Sequence, residues 1–74
     1  MERDSVTLKE LRKAASLSQE GVAAVLMYNQ SAVSAWEAGR WAPAKKIRPT
    51  LAAIYRVPLP VLEKAIEETC RTNR

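Results

Sequence analysis

The 74-residue sequence predicts an all-α fold, a compact bundle of five helices in a single domain. Two observations predict it. Apolar residues recur at the spacing of one helix face in successive segments, and Thr, Ser or Asn stands before three of these segments, where its side chain would cap a helix. The sequence has no strand pattern. A chain of this length buries roughly 60% of its surface on folding, so its core is small.

The first helix is predicted from about Leu8 to Ala15. Thr7 and Glu10 form a Thr-x-x-Glu capping box, in which each side chain accepts a hydrogen bond from the backbone N–H of the other residue. We expect this helix to bury Leu8, Leu11 and Ala15 on one side.

Two short helices joined by a tight turn are predicted over residues 18–39. Ser18 would cap the second helix and Asn29 the third. Gly39 would end the third helix, because a residue without Cβ permits the left-handed conformation that commonly stops helices. The inward residues are predicted to be Val22, Ala23 and Leu26 in the second helix, and Val33 and Trp36 in the third.

The other side of the third helix carries small or polar residues that can approach the floor of a DNA groove. They are Gln30, Ser31, Ser34 and Ala35. A helix that buries one side and exposes groups of this kind on the other is the pattern of a DNA-reading helix-turn-helix.

The fourth helix begins either near Ala44 or only after Ile47, because Pro49 fits a first helical turn but breaks a helix interior. A C-terminal helix is predicted at about 60–69, where apolar residues regain helical spacing after an interruption at residues 57–60. Residues 71–74 are predicted to be a frayed tail.

The basic residues are concentrated after the third helix. Twelve Lys and Arg against eight Asp and Glu give a formal net charge of +4. Residues 40–56, which we call the basic segment, contain five cationic residues and no acidic one: Arg40, Lys45, Lys46, Arg48 and Arg56. Cations beside a groove displace condensed counterions from DNA and supply sequence-independent affinity. A solvated basic surface is the alternative interpretation.

Composition argues against several function classes. The chain has no histidine, and Cys70 is its only cysteine, so we expect no metal site, no internal disulfide and no catalytic residues. We expect no cofactor either, and the protein is not predicted to be an enzyme. The sequence has neither a membrane-length apolar run nor a signal peptide, which predicts a cytoplasmic protein.

The chain resembles the lambda-repressor-like helix-turn-helix family, which includes the phage repressors and the Cro proteins, from about Leu8 to Leu62. The residues that match in register are Leu8, Leu11 and Arg12; Leu17, Ser18 and Gln19; Val22, Ala23 and Leu26; Val33 and Ser34; Glu37, Gly39, Arg40 and Pro43; and Leu51, Ala52 and Val57. The chain departs from the family at Met27, where a turn glycine is usual, at Gly21, usually acidic, and at Pro58, usually a capping serine.

The resemblance implies a sequence-specific DNA-binding transcriptional regulator, most often a repressor, that reads the major groove with its third helix as a homodimer. Gln30 would form two hydrogen bonds with adenine, and Ala35 would touch a thymine methyl. The hydroxyls of Ser31 and Ser34 would form a hydrogen bond with a base, with a phosphate or with their own backbone. The expected phosphate-binding residues are Gln19, Tyr28, Asn29, Arg40, Lys45 and Lys46. The resemblance also implies an ion pair between Arg12 and Glu37, and we expect the C-terminal helix at the dimer contact.

Two other functions fit the same fold. An antitoxin would bind its own promoter and also a protein toxin, for which the outward Val25 and Met27 offer an apolar surface. An adaptor would bind proteins without reading bases. Trp41 has three possible roles: closing the core, meeting a partner subunit, or lying against the sugar backbone.

Overall fold

In the computed structural model, which describes residues 6–72 and the side chains of residues 6–71, the chain forms five α-helices. They are α1 (Leu8–Ala14), α2 (Gln19–Leu26), α3 (Gln30–Glu37), α4 (Arg48–Tyr55) and α5 (Leu59–Thr72), with a short 3-10 helix at Lys45–Ile47. This part of the chain contains no strand, so the all-α prediction is confirmed. None of its helices is long and apolar enough to cross a membrane.

The predicted caps are present at the starts of the first three helices. The Thr7 hydroxyl accepts from the Glu10 N–H at 3.3 Å, and the Glu10 carboxylate accepts from the Thr7 N–H at 2.9 Å. The side chains of Ser18 and Asn29 each accept from the backbone N–H three residues ahead, at 3.0 and 3.2 Å. These local bonds satisfy N–H groups that a helix start leaves without partners.

Left-handed residues cap the ends of α2 and α4, at Met27 and Arg56, and also follow the ends of α1 and α3, at Ser16 and Gly39. Met27, with φ 62°, ends α2, and the Tyr28 N–H donates to the carbonyl oxygen of Ala23 at 2.9 Å across the turn. Gly39, with φ 78°, follows the end of α3. The glycine that the family usually has at the position of Met27 would adopt this conformation without strain, whereas a methionine does so at a steric cost.

Pro49 lies in the first turn of α4, which begins at Arg48. The later of the two predicted starts is therefore correct. A proline in the first turn loses no intrahelical hydrogen bond, because the first N–H groups of a helix have no intrahelical acceptor. The 3-10 helix before it brings the chain into α4 without a side-chain cap.

The core is built from all five helices. It consists of Leu8, Leu11, Val22, Ala23, Val33, Trp36, Leu51, Ala52, Tyr55, Leu62, Ala65 and Ile66. Ala15, predicted in the core, is only half-buried and is the C-cap of α1, whereas the neighbouring Arg12 is buried. Trp36 is a core residue, as the sequence indicates.

Helix α5 is an integral part of this core. Its Thr69 hydroxyl accepts from the N–H of Leu8 at 2.9 Å and donates to the carbonyl oxygen of Ala65 at 2.8 Å, which fastens the start of α1 to α5. The helix extends to Thr72, so the prediction of a tail from Arg71 is wrong for its first two residues, and residues 73–74 lie outside the described range. Removing α5 would open the core.

Candidate nucleic-acid interface

Three of the four predicted base-reading residues lie on the exposed surface of α3. They are Gln30, Ser31 and Ser34. The Ser31 hydroxyl donates to the side-chain oxygen of Asn29 at 2.9 Å, so the cap and the first turn of α3 form one polar unit. The exposed start of α3 therefore presents amide and hydroxyl groups to the surroundings.

Ala35 does not belong to this surface. Only 4% of it is exposed, and the chain leaving α3 turns back at this point, where the N–H of Arg40 donates to the carbonyl oxygen of Ala35 at 3.0 Å. The expectation that its methyl group meets a thymine is therefore wrong for this conformation. Alanine occurs both in protein cores and on helix surfaces, so the residue type did not decide between the two.

The ion pair between Arg12 and Glu37 joins α1 to the end of α3. The Nε and Nη2 atoms of Arg12 donate to the two carboxylate oxygens of Glu37 at 2.5 and 3.1 Å, and Nη1 donates to the carbonyl oxygen of Leu17 at 2.9 Å. Both side chains are largely buried. The hydrogen bond to Glu37 raises the pKa of Arg12, although burial acts in the opposite direction.

Two glutamines extend this pair to the exposed start of α3. Gln19 donates through Nε2 to Oε1 of Glu37 at 2.9 Å, and Gln30 donates through Nε2 to Oε1 of Gln19 at 2.8 Å. We call this chain of hydrogen bonds, from Arg12 through Glu37 and Gln19 to Gln30, the relay. It braces the residue at the tip of α3 against the buried ion pair.

Tyr28, in the turn between α2 and α3, packs against the core. Its ring meets that of Trp36 edge-on, with centroids 5.4 Å apart and an interplanar angle of 61°. The tyrosine stays partly exposed. It therefore covers the core beside α3 and retains access to solvent. Its contact with phosphate stays a prediction.

Residues 5–65 match a protein family described as helix-turn-helix domain. The chain belongs to this family. The match spans α1 to α4 and the first half of α5, and the helix-turn-helix is formed by α2 and α3. It agrees with the resemblance to the lambda-repressor-like proteins and indicates a DNA-binding regulator. No curated protein and no solved structure matches the chain.

The basic segment of this helix-turn-helix domain divides into two groups. Arg40, Lys46 and Arg56 are exposed. Arg48 is half-buried and donates through Nε to the carbonyl oxygen of Pro43 at 3.1 Å. Lys45, although exposed, lines an open groove whose other charged residues are Arg48 and, on α5, Glu63, Glu67 and Arg71.

Trp41 stands out from the loop that follows α3. It is 57% exposed, while Pro43, two residues later, is buried. The side chain therefore does not close the core. A partner subunit and the sugar backbone remain as its predicted contacts.

Tyr55 lies close enough to Arg12 and Glu37 for their charges to affect the pKa of its hydroxyl. Burial raises the pKa of its hydroxyl to about 12, the negative charge of Glu37 adds to this shift, and Arg12 opposes it. Tyr55 was not among the residues predicted to contribute to the site. Its relation to residues of α1 and α3 is tertiary and left no local pattern in the sequence.

Proposed function

We propose that this helix-turn-helix protein is a sequence-specific transcriptional regulator, acting as a repressor, that inserts α3 into the DNA major groove as a homodimer. The observation that carries the proposal is the exposed polar surface at the start of α3, followed directly in the chain by the basic segment. Side-chain amides and hydroxyls discriminate base edges, and the adjoining cations neutralise phosphates.

The buried ion pair supports this function. A recognition helix must enter the groove at a fixed angle, and Arg12 and Glu37 attach the end of α3 to α1. The relay then fixes Gln30 at the other end of the helix. Both ends of α3 are thus held before DNA arrives, so little ordering is required on binding.

A homodimer supplies the sequence selectivity that a single recognition helix lacks. One recognition helix contacts only a few base pairs, whereas two helices about 34 Å apart span one DNA turn and read a palindrome. The outer side of α5 is largely charged, with Glu63, Lys64 and Glu67 exposed, and Val61 is its one large apolar residue that the structure exposes. We expect such a contact to be weak in solution and to form mainly on the operator.

Selection of bound duplexes from a randomised library, at physiological salt and with a polyanion competitor, tests the proposal. The wild-type chain should enrich a two-fold symmetric motif, with half-sites about one helical turn apart. Gln30→Ala should lose base preference at one position in each half-site, while the control variant Lys13→Ala, at an exposed position of α1, should keep the motif. Failure of the wild type to enrich any motif would contradict the proposed function.

Repression is tested separately. A promoter that carries the selected motif should be expressed less in cells that make the wild-type chain than in cells that make Gln30→Ala. Equal or higher expression in the cells that make the wild-type chain would contradict the repressor role, but it would not contradict DNA binding.

An antitoxin is the second candidate, and the apolar side of α2 favours it. Val25 is 63% exposed and Met27 91% exposed, which leaves two large apolar side chains in water at the end of one helix. An antitoxin would co-purify with a toxin encoded beside it, and Val25→Ser would weaken that complex without changing the DNA motif. Co-expression of the neighbouring genes with no complex formed would exclude this candidate.

A further inference from the structure

Trp41 is the one aromatic residue of the loop between α3 and the 3-10 helix. It is 57% exposed, whereas the chain's other tryptophan, Trp36, lies in the core with 3% exposed. An indole ring in water keeps a large apolar surface hydrated, which is unfavourable in the free protein. Single exposed apolar residues are common on protein surfaces, so the meaning of Trp41 depends on how the loop holds it and on the charges around it.

The loop is held on both sides of Trp41. Before it, the N–H of Arg40 donates to the carbonyl oxygen of Ala35 at 3.0 Å. After it, Pro43 is fully buried, and its carbonyl oxygen accepts from Nε of Arg48 at 3.1 Å. The backbone beside Trp41 is therefore fixed before a ligand arrives, which lowers the entropic cost of a contact at this position.

The charges around the loop favour a polyanion as the ligand. Arg40, which directly precedes Trp41, and Lys46 are exposed cations, and the basic segment that contains all three has no acidic residue. The buried centre of a contact between proteins is poor in charged residues, whereas DNA attracts cations and releases counterions when they bind. A tryptophan among exposed cations therefore complements DNA better than it complements a second protein.

The deoxyribose rings supply an apolar surface for the indole of Trp41. Sugars alternate with phosphates along a DNA strand, so a chain segment whose cations lie over phosphates brings the side chains between them against a sugar. The ring can pack on the carbon atoms of the sugar, and the indole N–H can donate to a phosphate oxygen. Every nucleotide offers this contact, so it contributes affinity without base preference.

We infer that Trp41 binds the DNA backbone by packing its indole ring against deoxyribose, and that this contact adds an apolar, salt-independent part to the affinity supplied by the basic segment. The inference rests on the proposed function and deepens it. Of the two contacts that remain for Trp41, it selects the sugar backbone over the partner subunit.

Binding to the selected palindrome at several salt concentrations separates this apolar contact from the ionic ones. Trp41→Ala should lower the affinity by roughly tenfold at every salt concentration and leave the slope of log K against log salt unchanged, because an apolar contact releases no counterion. Trp41→Phe keeps an aromatic ring and should recover part of the loss. Arg40→Ala should instead reduce the slope. Val25→Ala, at an exposed apolar position of α2, is the control and should bind as the wild type does.

A duplex with a single half-site distinguishes the sugar backbone from the partner subunit. At low salt, where a single half-site is bound measurably, Trp41→Ala should lower the affinity for this duplex as well, because the sugar contact needs no partner. Acrylamide quenching of the wild-type tryptophan fluorescence should fall when either duplex binds, and this change should be absent in Trp41→Phe, where only the buried Trp36 remains. Thermal denaturation establishes that each variant is folded.

A Trp41→Ala variant with wild-type affinity for both duplexes would overturn the inference and leave the proposed function intact. A loss confined to the palindrome would also overturn it, because it would place Trp41 at the contact between subunits. A reduced salt slope in Trp41→Ala would contradict an apolar contact. Failure of the wild type to select any motif would instead be a failure of the proposed function itself.

Discussion

Glu37 at the end of α3 lies 2.5 Å from the guanidinium of Arg12 on α1, and only 5% of the glutamate side chain is exposed. The pair joins residues 25 positions apart in the chain. It also anchors the relay, so one buried contact contributes to the stability of the bundle and to the orientation of the residue at the tip of α3.

Replacing Arg12 by Ala should destabilise the fold strongly. The change leaves the Glu37 carboxylate buried without its cation, and losing one partner of a buried pair costs about 3 kcal/mol or more. The melting temperature should fall by roughly 10 to 20 °C. Lys13→Ala, at an exposed neighbouring position, is the control, and an equal loss in both variants would show that the pair contributes nothing specific.

Thr69→Val should cost about 1–3 kcal/mol, because it deprives the Leu8 N–H of its buried acceptor while nearly preserving side-chain volume. Thr69→Ser retains the hydroxyl and should recover most of this loss, apart from a small cavity term. Denaturant unfolding of both variants measures the difference. Equal stability of the two would contradict the proposed role of the hydroxyl between α1 and α5.

Met27→Gly should stabilise the protein by about 0.5–1 kcal/mol. Methionine occupies the left-handed conformation here at a steric cost that glycine does not have, and its highly exposed side chain gives up little packing. Met27→Ala keeps the Cβ atom and should bring no gain. The free energies of unfolding should therefore rank glycine above both alanine and methionine, and a destabilised glycine variant would contradict the argument.

The Tyr55 hydroxyl should make stability depend on alkaline pH. Its pKa is raised to about 12 in the folded chain against about 10 when unfolded, so the contribution is complete below pH 10 and is lost as the pH rises toward 12. In a Tyr28→Phe background, Tyr55 is the only tyrosine, and the absorbance of tyrosinate reports it alone. A midpoint near 10 in the folded protein would contradict the burial argument.

Lys45 and Lys46 of the basic segment should contribute unequally to phosphate binding. Lys46→Ala should reduce the slope of log K against log salt by about 1. Lys45→Ala should reduce it less, because that side chain lines a groove against α5 in which the carboxylates of Glu63 and Glu67 already accompany the cations. Binding to one duplex at several salt concentrations measures both slopes, and a larger effect at Lys45 would contradict this division.

Local chemistry explains which parts of the fold were predictable from the sequence. The caps at Thr7, Ser18 and Asn29 act within three residues, and the position of Pro49 limits where α4 can begin. Such constraints can be read from short stretches of sequence. They gave the number and order of the helices and the location of the exposed surface of α3.

Contacts between distant residues were not predictable in the same way. The bond from Leu8 to Thr69 spans 61 positions, and the burial of Ala35 arises from tertiary packing that its residue type does not indicate. The pairing of Arg12 with Glu37 was implied only by the family resemblance. The bonds that Gln19 makes with Glu37 and Gln30 depend on how α2 packs against α3.

Chemical-shift mapping with labelled protein and a duplex selected from the random library locates the DNA-binding surface. The largest changes should occur at the amides of Gln30, Ser31 and Ser34 and in the basic segment at Arg40 and Lys46, with α5 nearly unchanged apart from its outer side. Changes confined to Val25 and Met27, or to α5, would place the binding surface elsewhere and contradict a major-groove role for α3.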